Sequence, residues 1–105
     1  MNEVTHKGKL FAVDEDGFLV FFEDWGPEWV DHVRTVEGIG ELTPDHFKVI
    51  EFLQEYYSNN GIAPMIRVLT KNTGFKIREI YALFPSGPGK GACKMAGLPK
   101  PTGCV

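Results

Sequence analysis

Nine of the last 21 residues, from Pro85 to Val105, are glycine or proline. Glycine raises the entropy cost of ordering a chain, and proline fixes φ and removes a backbone donor. No long helix or central strand can run through such a stretch. The composition predicts an irregular, mobile arm over 85–105, with at most one short helical turn around Ala92 to Ala96. It also predicts a core that ends near Phe84, because the arm holds few large apolar groups to fix it by burial.

Upstream of the arm the chain reads as short elements. Val4-Thr5-His6 and Lys9-Leu10-Phe11 flank Lys7-Gly8, the pattern of a tight hairpin. Asp14-Glu15-Asp16-Gly17 is a second turn signal, followed by the apolar run Phe18 to Phe22, which reads as a further strand. From Gly26-Pro27-Glu28 the pattern is helical, with Trp29, Val30, Val33 and Val36 near helical spacing and Gly38 as the stop. Thr43-Pro44-Asp45 opens the clearest helix, whose apolar face is Val49, Ile50, Leu53, Tyr56 and Tyr57, and Asn59-Asn60-Gly61 ends it. Pro64 opens a third helix that ends near Gly74. Ile77, Ile80, Tyr81 and Phe84 mark a fourth, stopped by Pro85. The expected fold is α+β and mostly helical: a short N-terminal β-hairpin or sheet (1–24) packed on a small helical bundle (26–84), forming one globular domain over 1–84, with the flexible arm over 85–105.

The net charge of −3 argues against general affinity for nucleic acid or an anionic membrane. No apolar run approaches the ~20 residues that cross a bilayer, and residues 1–7 lack an apolar signal core. A cytoplasmic protein, monomeric when free and not inserted in a membrane, is the expectation. That compartment is reducing, which speaks against a structural disulfide and leaves the two cysteines as plain thiols, redox groups or metal ligands. There is no Cys-x-x-Cys, and His6, His32 and His46 lack ligand spacing, so a zinc site is a weak option and no metal is expected on this chain.

Cys104 is the penultimate residue and Cys93 lies eleven positions before it. A thiol reacts as thiolate and needs access to its target, which the tip of an arm provides. Eleven extended residues span roughly 36–40 Å, yet closing so short a loop costs only a few kcal/mol. Such an arm can reach outward or bring its thiols together, the two requirements of thiol–disulfide exchange with an attacking and a resolving group. The terminal carboxylate beside Cys104 disfavours its thiolate, whereas Lys90, Lys94 and Lys100 favour one if the arm brings them near. For Cys93 the plainer reading, a small buried hydrophobe, stays equally open. Trp25 and Trp29 read as packing groups in the core or at the strand–helix junction.

The run from Pro85-Ser86-Gly87-Pro88-Gly89-Lys90-Gly91-Ala92-Cys93 through Lys100-Pro101-Thr102-Gly103-Cys104-Val105 closely resembles the C-terminal arm of the DsrC family, the gamma-subunit family of dissimilatory sulfite reductase. The resemblance extends to Val13-Asp14-Glu15-Asp16-Gly17-Phe18-Leu19, Trp25-Gly26-Pro27-Glu28-Trp29 and Gly61-Ile62-Ala63-Pro64-Met65-Ile66-Arg67. It implies a small cytoplasmic protein that is not itself an enzyme but a redox-active co-substrate. The implied partners are the alpha and beta subunits of the reductase, which hold siroheme and iron–sulfur clusters. The arm enters that enzyme, Cys104 accepts sulfur, and Cys93 resolves the adduct as a trisulfide. A membrane-bound haem and iron–sulfur electron-transfer complex then reduces it. The related TusE-like branch of transfer-RNA thiolation keeps only the penultimate cysteine, so the pair Cys93 and Cys104 points to the dissimilatory branch. The same carrier chemistry could also serve sulfur oxidation.

Two rival readings come from the residues themselves. Helices near 64–73 and 76–84, joined by a turn with Gly74 and carrying Arg67, Lys71, Lys76 and Arg78, have the scale of a helix-turn-helix DNA-binding regulator. The acidic total offers little phosphate affinity, and Arg67 and Lys71 could instead dock the arm or the partner. An autonomous thiol enzyme would place its nucleophile on a rigid element beside a base, whereas Cys104 lies in the most flexible composition of the chain.

Overall fold

The computed structural model describes residues 2–101. Strand β1 (Asn2–His6) pairs antiparallel with β2 (Lys9–Val13), with His6 opposite Lys9. Lys7 and Gly8 both take positive φ, 50° and 83°, as a two-residue hairpin of matching twist requires. Asp14 then organises the second turn: its Oδ1 accepts the amides of Asp16 and Phe18, each at 2.9 Å.

The expected strand over Phe18 to Phe22 does not form. Leu19 makes one isolated bridge to Val13, and the chain leaves the sheet. Phe18 and Leu19 are both buried, while Val20, Phe21 and Phe22 are 40–50% exposed. Two consecutive buried residues followed by three exposed ones break the alternation that a half-buried strand needs. A 3-10 turn (Phe22–Asp24) takes its place.

Four α-helices follow: α1 (Pro27–Glu37), α2 (Pro44–Asn60), α3 (Ile66–Thr73) and α4 (Ile77–Leu83). Their starts follow the anticipated signals, except that Pro64 lies two residues before α3 rather than inside it. Thr43 caps α2 through an unusual partner. The Thr43 amide donates to His46 Nδ1 at 3.1 Å, which leaves Nε2 to donate to the Leu83 carbonyl at 2.9 Å. One imidazole thus caps α2 and ties the end of α4 to it. The core is shared by Phe11 and Val13 of the hairpin, Trp29 and Val33 of α1, Val49, Ile50 and Leu53 of α2, Leu69 of α3 and Ile80 of α4. This is the anticipated α+β, mostly helical fold.

The expected end of the core at Phe84 is corrected. Pro88–Cys93 form a π-helical turn, and Ala92, Cys93, Met95, Ala96 and Leu98 are all buried in the same core as α1 and α2. The segment was expected to stay loose for want of large side chains. Met95 and Leu98 supply buried bulk after all, and the small residues between them let the backbone approach the helices. The described part of 85–105 therefore belongs to the globular body as far as Leu98, and the expected division at residue 84 does not separate two physical units.

Candidate functional site

Cys93 ends the π-helical turn and is fully buried. Cys93 lies in the core and does not sit on a mobile arm. Burial pushes its thiol up to about 12, so at neutral pH it is protonated and a poor nucleophile. The last carbonyls of a helix have no partner further along it. Those after Cys93 are met by side chains from elsewhere. Trp29 Nε1 donates to the Lys94 carbonyl at 2.8 Å, Trp25 Nε1 to Met95 at 2.9 Å, and Gln54 Nε2 to Ala96 at 2.9 Å. Three successive carbonyls are held by three donors, two flanking the start of α1 and one from the middle of α2.

The turn closes at Gly97. Leu98 N–H donates to the Cys93 carbonyl at 3.1 Å and Gly97 N–H to Lys94 at 3.1 Å. Gly97 has φ +78°, and a Cβ there would lie 2.6 Å from Trp25 Cδ1. Only glycine lets the backbone both turn left-handed and lie against the indole, which stacks in turn on Phe22 with ring centroids 6.2 Å apart.

The anticipated cations are divided by the fold. Lys100 Nζ pairs with Asp16 Oδ2 at 2.9 Å, which holds the Asp16 carboxyl below its ordinary range and raises Lys100. Lys94 Nζ lies over the Phe18 ring, 5.0 Å from its centroid. Lys90 lines a cleft of about 400 Å³ with Phe18, Tyr81, Ser86, Lys100 and Pro101. Arg67 and Lys71 lie exposed on α3, where Lys71 borders an open groove with Phe75, Lys76 and Arg78. Neither hydrogen-bonds or ion-pairs with residues 85–101 among the described contacts. The helix pair behind the helix-turn-helix reading is present as α3 and α4, and it buries Leu69, Thr73 and Ile80. Cys104 lies outside the described residues. No helix among the described residues is long and apolar enough to cross a membrane.

Sequence reasoning missed Gln54 altogether and assigned Trp25 and Trp29 to packing without their donors. The only available signal was that a buried indole N–H needs an acceptor.

The family model described as DsrC like protein matches residues 5–105. The chain belongs to the DsrC family. It is 71% identical over 105 residues to the dissimilatory-type sulfite reductase subunit gamma of Nitratidesulfovibrio vulgaris, covering all of both chains. It is 37% identical to the sulfurtransferase TusE of Salmonella typhimurium, over 94% of this chain and 96% of that one. A solved chain from dissimilatory sulfite reductase I superposes with a TM-score of 0.92 at 66% identity, covering 99% of this chain and all of the other. The DsrC fold thus extends over 99% of the chain.

Proposed function

We propose that this DsrC-family chain is a cytoplasmic sulfur carrier and co-substrate of dissimilatory sulfite reduction, working with the alpha and beta subunits of the reductase. In this reading Cys104 accepts sulfur and Cys93 resolves the adduct. The observation that carries it is the full-length 71% identity to a reductase gamma subunit in a chain that has both cysteines.

The chemistry balances as a carrier cycle. Sulfite sulfur becomes the central, zero-valent atom of a trisulfide by taking two electrons from the partner and two from the thiols, while its oxygens leave as water. A separate electron donor then supplies four electrons, releases sulfide and restores both thiols. The chain needs no cofactor of its own for this; siroheme and iron–sulfur clusters belong to the partner, and the membrane-bound haem complex is the regenerating donor. Burial of Cys93 suits the second thiol, which must stay reduced until the first arrives loaded.

The packed turn adds a length constraint. Cys104 lies three positions beyond Pro101, a reach of roughly 10 Å. Deeper insertion into a partner requires residues 99–101 to leave the body, and the exposed ion pair Lys100–Asp16 is a weak tether against that.

The test is turnover of sulfite by a purified reductase with this chain present, followed by intact mass. A trisulfide linking Cys93 and Cys104 is expected. Cys104→Ser should abolish the adduct, and Cys93→Ser should leave a single-cysteine adduct. Sulfur uptake by Cys104→Ser would overturn the assignment. The TusE similarity supports a second reading, sulfur relay to transfer RNA, which predicts persulfide on Cys104 alone.

A further inference from the structure

We infer that Trp25, Trp29 and Gln54 are positioning residues that form a three-donor clamp, and that opening of this clamp sets the rate at which the Cys93 thiol can react. The inference deepens the reading of Cys93 as the resolving thiol and rests on it for its biological meaning.

The clamp grips the backbone and not the sulfur. The three donors hold the carbonyls of Lys94, Met95 and Ala96, the three residues directly after Cys93. Leu98 N–H closes on the Cys93 carbonyl itself. Met95 and Ala96, both fully buried, come into the core with the same backbone. Cys93 therefore cannot turn outward while the three bonds hold. Nor can it ionise in place: its ordered surroundings offer it desolvation and no compensating charge. A reactive Cys93 has to be an exposed Cys93, and the exposing motion must break the clamp.

The clamp also separates two parts of the tail. Residues 94–96 are gripped by three long-range hydrogen bonds, whereas beyond Gly97 the only long-range polar contact among the described residues is Lys100 to Asp16 on the surface. Gly97 stands between them, pressed on Trp25. Movement of the exposed residues beyond Leu98 pulls first on Leu98, whose amide is bonded to the Cys93 carbonyl, and through Gly97 on the Trp25 and Gln54 bonds. Withdrawal of the tail and exposure of the second thiol are thereby coupled mechanically through this one junction.

The experiment uses the full chain in a Cys104→Ser background, where Cys93 is the only thiol. Iodoacetamide labelling is followed by mass, with amide hydrogen exchange in parallel. Gln54→Met keeps length and removes the donor; Trp25→Phe keeps an aromatic ring and removes its N–H. Each should raise the Cys93 labelling rate about tenfold, by freeing one carbonyl bond in a local opening. Protection of the Gly97 and Leu98 amides should fall in step, while that of Leu53 in the centre of α2 stays unchanged. Gln54 is half-buried, so that variant tests the clamp even where an indole change disturbs the fold. Labelling that is unchanged, or that rises only in proportion to Leu53 exchange, would overturn the proposal, since the three residues would then act through global stability alone. No reductase enters this measurement. Its failure would leave the sulfur-carrier reading intact, and loss of the trisulfide would leave the clamp intact.

Discussion

Trp29 Nε1 and the Lys94 carbonyl, 65 positions apart in the chain, meet at 2.8 Å. That contact joins the first turn of α1 to the residue after Cys93. It makes the thiol's surroundings a property of the whole domain, although the cysteine lies in its Gly/Pro-rich end. The Lys94 carbonyl also receives the Gly97 amide, so one oxygen carries both the long-range hold and the local turn.

Replacing Trp29 by Phe removes the donor and shrinks a fully buried ring. The expected loss is about 1–3 kcal/mol of unfolding free energy, from one lost hydrogen bond and a small cavity. Urea denaturation checks it, with an unchanged m-value indicating that the fold itself persists.

Gly97→Ala forces a side chain into positive φ and against the Trp25 ring. Strain and overpacking together should cost about 2–4 kcal/mol. Tryptophan fluorescence should shift toward the red as Trp25 is displaced, whereas Gly40→Ala, which meets nothing within 4 Å, should leave both stability and spectrum close to the parent.

Alkaline pH should destabilise the fold through Cys93. The folded thiol is held at about 12, above the ordinary cysteine value near 8.5, so the folded state keeps a proton that the unfolded state releases. The associated stability is fully present below about pH 8.5 and is lost as pH rises toward 12, at up to about 1.4 kcal/mol per pH unit. Cys93→Ala should flatten that slope when unfolding free energy is measured from pH 8 to 11. A slope equal to that of the parent would show that Cys93 ionises without leaving the core.

Acid should act through Asp31, whose carboxylate receives His6 Nε2 at 2.7 Å, Arg34 at 2.8 Å and Lys7 at 3.0 Å. The His6 hydrogen bond first, then those of Arg34 and Lys7, hold it well below the ordinary carboxylate range. A depressed folded value means that this contribution is present above pH 4 and disappears as pH falls further. Asp31→Asn should make the acid limb of the stability curve shallower below pH 4 and leave the alkaline limb unchanged, as read from denaturant midpoints across pH. The site is a quarter exposed, so the effect should weaken in high salt.

Helix placement was legible because its signals are local. Thr43-Pro44-Asp45 starts α2 and Gly61 follows its last residue; Gly38 and Gly74 follow α1 and α3 in the same way. The hairpin was legible from Lys7-Gly8, where two residues suffice to define the turn. The Phe18–Phe22 run misled because apolar content does not distinguish a strand from a chain that buries two residues and then leaves. The tail misled more deeply. Glycine and proline are read from sequence as lack of structure, yet glycine also permits close backbone approach, and which applies depends on the opposing surface.

The sequence by itself determined the family, the α+β class, the helix ends and the two cysteines, because caps, turns and motif spacing act over a few residues. Only the tertiary structure decided that Cys93 belongs to the core, that Trp25, Trp29 and Gln54 hold the carbonyls after it, and that Lys100 is paired with Asp16. Those are contacts across 42 to 84 positions, made when packing brings α1, α2 and the Asp14–Gly17 turn around the tail. Local composition carries no record of which donor will face an unsatisfied carbonyl; burial imposes that pairing once the elements have packed.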